Sequence, residues 1–240
     1  MANSAYISEI AVEDAKAQSS QRHPLVVRVT HWIFTLSFFG LVVSGIGIIY
    51  AHPHFYWGET GNLQTPALFS LPIPTILGGP SGWGRSLHFQ SAWFAILSGL
   101  LYVISGVFSN HFRSQLVPTR EQLSWSALGE TVRDHLRLKR HSSDAPYNIL
   151  QWLSYLGVVF VVFPMTILSG FAMSPSITSV FPSIVIFFGG HQSARTIHFF
   201  LANLLFLFLI VHIVMIAISG FLRRMRSMIT GGSATRKDVS

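Results

Sequence analysis

Four apolar stretches, roughly His31–Tyr50, His88–Ser109, Ile149–Phe171 and Thr196–Leu222, set the terms for this chain. A bilayer's hydrocarbon core takes about 20 residues of α-helix to cross, and each stretch is long enough. Lipid offers no partner to backbone N–H and C=O groups, so an apolar run of this length bonds internally as a helix. The expected fold is all-α, an integral membrane four-helix bundle. Half of the 240 residues are hydrophobic and only 10% are charged, as such a bundle requires.

Four crossings return the chain to its starting side, and the basic residues say which side that is. Fourteen of the sixteen lysines and arginines lie before span one, between spans two and three, or after span four. Only Arg85 and Arg195 remain for the other face. By the positive-inside rule both termini are cytoplasmic, as is the loop at 110–148. The net charge of +7 then reflects a face beside anionic lipid, the bilayer being the partner, and calls for no nucleic acid.

The chain divides into a tail at 1–22, a transmembrane domain at 23–224 and a cytoplasmic C-terminal tail at 225–240. The first tail holds Glu9, Glu13, Asp14 and Lys16 and no apolar run. It lacks the pattern of a secretory signal and is expected to be disordered. The outer loop at 51–87 is rich in proline and glycine, contains Trp57 and Trp83, and has its own apolar run at Ala67–Leu77. Long loops of this kind usually carry function, and this one is the expected docking surface for a partner outside the membrane. The apolar segment Ile177–Phe188 is too short to span and is broken by Pro182, so it is expected to lie in the interface or cover the bundle. Leu123, Leu128, Val132 and Leu136 suit an amphipathic helix on the cytoplasmic surface, or a plain connector. Ser-Gly pairs recur at 44/45, 98/99, 105/106, 169/170 and 219/220. Small residues in spans allow close helix packing, or make room for a flat macrocycle against the backbone.

Of the eleven histidines, seven sit in loops or tails; His31, His88, His198 and His212 fall inside the spans or at their rims. An ionisable side chain in a span is costly and usually faces the bundle interior with a partner or a function. His198 and His212, 14 residues apart on one helix, share a face and stand about 21 Å apart along the axis. With the topology above, His31 is level with His212 on the inner side and His88 is level with His198 on the outer side. Two imidazole pairs, one per leaflet, are what two six-coordinate haems stacked across a bilayer need. Zinc or copper would be poorly served by two imidazoles with no carboxylate in any span. The absence of cysteine excludes thiolate-ligated iron–sulfur clusters and covalently attached c-type haem. Arg28, Arg85 and Arg195 each stand three residues before one of these histidines, one helical turn toward the surface. There they suit haem propionates, or serve as ordinary interfacial anchors.

These residues resemble the prokaryotic cytochrome b-561 type family, the membrane subunits of nickel-iron hydrogenases, formate dehydrogenases and thiosulfate reductases. The resemblance covers about 22–224 and rests on three motifs. These are H-P-x-x-V-R-x-T-H-W at 23–32, R-x-x-H at 85–88, and the pair His198 and His212 with thirteen residues between. It implies a multi-pass protein of the bacterial inner membrane holding two haem b, one on His31 and His212, the other on His88 and His198. It also points to Tyr147, Asn148 and Gln151 beside the inner haem as quinone contacts, for ubiquinone or menaquinone; Asn148 as a simple helix cap is the alternative. The long outer loop, with W-G-E-T-G-N at 57–62 and G-P-S-G-W-G-R at 79–85, is most similar to the thiosulfate-reductase-type branch. Members of that branch are often paired with a molybdopterin oxidoreductase. The implied function is electron transfer between the quinone pool and an outer-face oxidoreductase docked on that loop. Two other readings stay open: a stand-alone superoxide:quinone oxidoreductase, and a haem-free membrane anchor or transporter.

Overall fold

The computed structural model describes residues 24–61, 64–76, 80–108, 154, 156–218 and 220–231. In chain order the elements are α1 (Leu25–Ala51), β1 (His54–Phe55), β2 (Phe69–Ser70) and α2 (Pro80–Phe108). There follow a π-helical turn (Val158–Val162), α3 (Phe163–Ala172), α4 (Pro175–Thr178), α5 (Ser183–Phe187), α6 (His191–Ile218) and α7 (Phe221–Thr230). Three helices, Leu25–Ala51, Gly82–Phe108 and His191–Ile218, are long and apolar enough to cross a membrane; the apolar helix at Val158–Ala172 is shorter.

These helices are built inside out relative to a water-soluble bundle. The residues α1 buries, Thr30, Ser37, Ser44, Gly47 and Ala51, are small and mostly seven apart, while Leu36 and Phe39 are among the side chains left outside. In α2 the buried set is again small, with Gly84, Ser91, Ala95 and Ser98. A heptad stripe of small residues lets two backbones approach closely, which is how helices associate when lipid removes the hydrophobic drive. The approach leaves no space for more: a β-carbon on Gly40 would overlap the Ser91 hydroxyl. Serine hydroxyls in the stripe satisfy themselves on the preceding turn, as Ser37 does on the Ile33 carbonyl at 2.7 Å.

Helix α3 packs against α6 and reaches the first pair through aromatic rings. Phe163 meets Phe34 of α1 at 5.1 Å, and Phe171 meets Trp93 of α2 at 6.2 Å. Pro164, near the start of α3, lacks an N–H and crowds the carbonyl four residues back. The helix widens just before it, and Phe163 N–H bonds the Val158 carbonyl, five residues back.

The three long helices start earlier than the apolar stretches suggest: α2 and α6 open on small or polar residues, and α1 on Leu-Val-Val ahead of Arg28. Helix α1 starts at Leu25 and α2 at Pro80, so His31 and His88 lie within their helices rather than at the rims, and the first connection ends near 79 instead of 87. The segment expected to cover the bundle forms α4 and α5, and Phe188 just after α5 packs with Ala172 and Ala194 in a buried cluster. The first part of the C-terminal tail, expected at 225–240, is helical, continuing a helix that begins at Phe221. Helix α7 folds back on the start of α1, where Arg28 donates to the Ile229 carbonyl at 2.9 Å and the Trp32 indole to the Met228 carbonyl at 3.3 Å. The 1–22 tail, the surface helix at 123–136 and the proposed quinone contacts lie outside the described residues.

Candidate functional site

The first turns of α6 are the anchor of the outer end. The N–H of Gly58 donates to the Ser193 hydroxyl at 2.8 Å, and the Thr196 hydroxyl donates to the Tyr56 carbonyl at 2.7 Å. Ser193 and Thr196 are almost completely buried, so these bonds form where water cannot compete. The paired strands bring Phe55 and Phe69 face to face at 4.7 Å, and Phe55 lies 4.5 Å from Phe199 while Phe69 lies 5.5 Å from Phe200. The outer loop thus covers the part of α6 that carries His198.

Directly beneath that cover, His198 meets His88. Their ring centroids are 6.1 Å apart with planes at 66°. Both rings are held by Nδ1. His88 Nδ1 lies 3.0 Å from the Ser44 hydroxyl of α1, and His198 Nδ1 lies 3.0 Å from the Ser169 hydroxyl and 3.0 Å from the Thr166 carbonyl of α3. Four helices therefore contribute to one pair of imidazoles.

The pair fits a haem iron. Metal–imidazole bonds are roughly 2 Å, so two rings sharing one metal have centroids roughly 6 Å apart once each ring's own radius is added. Two nitrogens suffice for haem because the macrocycle fills the other four positions. Among the described residues no group of three or more His, Cys, Asp or Glu side chains gathers to hold a bare ion. Glycines flank both rings: a β-carbon on Gly45 would lie 3.9 Å from His88 Cε1, and one on Gly170 would lie 3.5 Å from His198 Cε1.

At the inner end, His31 stands edge-on to Trp32 at 5.6 Å, and His212 stacks on Phe208 at 6.1 Å. Arg28 is engaged with α7 through one guanidinium nitrogen, and its Nε is buried with no hydrogen-bond partner among the described residues. At the outer end, Arg195 lies over the Phe55 ring at 4.9 Å and donates to the His52 carbonyl and to Gln192 at 3.4 Å. Arg85 is exposed. Burial, then Arg195, then Arg85 lower the pKa of His52, so both outer arginines converge on a histidine that sequence reading set aside as a loop residue. Ser44, Ser169 and Thr166 were also missed; the Ser-Gly repeats were the available signal.

Glu59 and His191 form a separate polar pair at 3.5 Å, beside an open cavity of about 460 Å³ lined also by Pro182, Val185 and Ile186.

Comparison with known proteins places this arrangement. Residues 22–231 match the family described as prokaryotic cytochrome b561. A relative from Azospira oryzae, named as a protein-methionine-sulfoxide reductase subunit, YedZ1, is 31% identical over 197 residues, covering 82% of this chain and 90% of its own. No solved structure matches the chain.

Proposed function

This chain belongs to the prokaryotic cytochrome b561 family of haem-binding membrane electron-transfer proteins, and from that premise we propose a di-haem conduit between the quinone pool and an outer-face oxidoreductase. The observation that carries the proposal is the His88–His198 pair, with rings 6.1 Å apart and anchored from two further helices. His31 and His212 make the second pair, one helix traverse away.

Haem, when bound, would supply a reversible one-electron couple, and His88 and His198 would hold it, a pair of imidazoles favouring electron transfer over oxygen binding. The chain sets position and surroundings. Ser44, Ser169 and Thr166 orient the outer rings. Phe55, Phe69 and Phe199 exclude water beside them. Arg85 and Arg195 give the outer end its positive charge, and the unpaired Nε of Arg28 gives the inner end a donor one turn from His31; these three serve the propionates.

The resemblance to formate dehydrogenase membrane subunits supports Tyr147, Asn148 and Gln151 as the quinone contacts. The partner docks on the outer loop, whose Trp57 and Leu68 are more than half exposed. The Azospira relative carries the name of a reductase subunit, which supports a reductase as partner and quinol as the electron source. The setting is the bacterial inner membrane.

A pyridine haemochrome count on purified protein tests the reading. Two b-type haems per chain are expected, with one lost in His88→Ala and the same one lost in His198→Ala. A colourless protein from haem-replete cells returns the chain to the anchor or transporter reading. Asn148→Ala is expected to slow oxidation of a quinol analogue with both haems kept; unchanged kinetics would remove it from the site.

A further inference from the structure

We propose that Ser44 and Ser169 are matched positioning residues, holding His88 and His198 in the tautomer that leaves Nε2 free for iron. The proposal rests on the ligand reading above and adds residues that it does not contain.

The tautomer follows from counting protons. A serine hydroxyl has one, and Ser44 Oγ lies 2.6 Å from the Gly40 carbonyl and 3.1 Å from that of Leu41. Carbonyls only accept, so the proton is committed to the backbone and Oγ meets His88 Nδ1 as an acceptor. The hydrogen between them belongs to Nδ1. At His198 the conclusion holds independently of the serine, since Nδ1 is 3.0 Å from the Thr166 carbonyl, which cannot donate. The Ser169 hydroxyl proton goes to that same carbonyl at 3.0 Å, leaving its oxygen to accept from the ring. A neutral imidazole with hydrogen on Nδ1 keeps its lone pair on Nε2.

The two seats are built alike. Ser44 and Ser169 are both completely buried, both lie on the helix packed against the one that carries the histidine, and both precede a glycine. The serine holds the Nδ1 edge, while Gly45 and Gly170 leave the Cε1 edge uncrowded. Ser98, in another Ser-Gly pair, bonds the Ala95 carbonyl on its own helix.

An acceptor on Nδ1–H makes the imidazole a stronger donor and favours ferric iron. Removing it is expected to raise the midpoint potential of the outer haem. Ser169→Ala leaves the Thr166 carbonyl in place, so its effect is the smaller. Ser44→Ala removes the acceptor bonded to His88 and has the larger effect.

The test is a spectroelectrochemical titration of full-length protein in detergent, with haem counted for every variant. Expected are two haems and one raised midpoint in S169A, a larger rise or loss of one haem in S44A, and return toward the wild-type value in S44T. Unchanged midpoints in both alanine variants, with two haems bound, overturn the positioning role and leave the ligand pair intact. A haem count in His198→Ala equal to that of the wild type overturns the ligand reading itself.

Discussion

Gly58 and Gly190 meet backbone to backbone: a β-carbon on Gly190 would overlap the Gly58 carbonyl, and Gly190 has φ of +116°. Gly190→Ala therefore adds a clash to a conformation that L-residues avoid, and is expected to cost more than about 1 kcal/mol. Gly58, with φ of +93° and nothing within 4 Å of its own β-position, should tolerate alanine better. Thermal midpoints in detergent, and protease cleavage between 52 and 61, give the ranking. Equal effects would show that strain alone, and not the close approach, governs this contact.

Gly170→Val should remove one haem per chain and spare the other. The β-carbon would touch His198 Cε1 at 3.5 Å, and two further methyl groups would crowd that edge of the ring, where a macrocycle would have to fit. Gly157→Val, with open space at its β-position, is the matched control for the helix-propensity cost. Two haems retained in Gly170→Val would mean that the macrocycle lies on another side of the ring.

His52 gives the outer end a pH dependence of defined sign. Burial and the two arginines lower its pKa from 6.5 in the folded protein. As pH falls, the unfolded chain takes up the proton first, so stability is fully present above about pH 6.5 and declines below it toward the folded pKa. The thermal midpoint is expected to fall between pH 7 and pH 5, and His52→Gln should flatten that fall. An identical slope in the variant would assign the effect to another group.

Trp32→Phe deletes the indole donor to Met228 and keeps an aromatic ring, and should loosen α7 by about 1 kcal/mol. Faster tryptic cleavage at Arg224 and Arg226, with unchanged haem content, is the expected result. Cleavage at the wild-type rate would mean that Arg28 alone holds the helix.

The four histidines stood out in sequence because a polar ring in an apolar span is conspicuous and because helical rise is regular enough to place His198 and His212 on one face. The structure brings His88 to His198 as the topology implied. Ser44 and Ser169 were harder to see. A serine in a span is unremarkable, and its partner is 44 or 29 residues away, a separation that periodicity does not encode. The true starts of α1 and α2 were also hidden, since Arg28 interrupts the apolar pattern of α1 just after Leu-Val-Val and α2 opens on small residues of low hydropathy. Most of helix α7 fell in the tail expected at 225–240, because its three arginines mark the chain as leaving the apolar span, yet its last carbonyls accept from donors on α1.

That attachment has a bearing on biogenesis. Arg28 and Trp32 emerge from the ribosome about two hundred residues before the carbonyls that they bind. Until those carbonyls are made, Arg28 and Trp32 are without these two acceptors. A product that stops before Met228 would lack both attachments of α7 to α1, and a quality-control protease could recognise it by that difference.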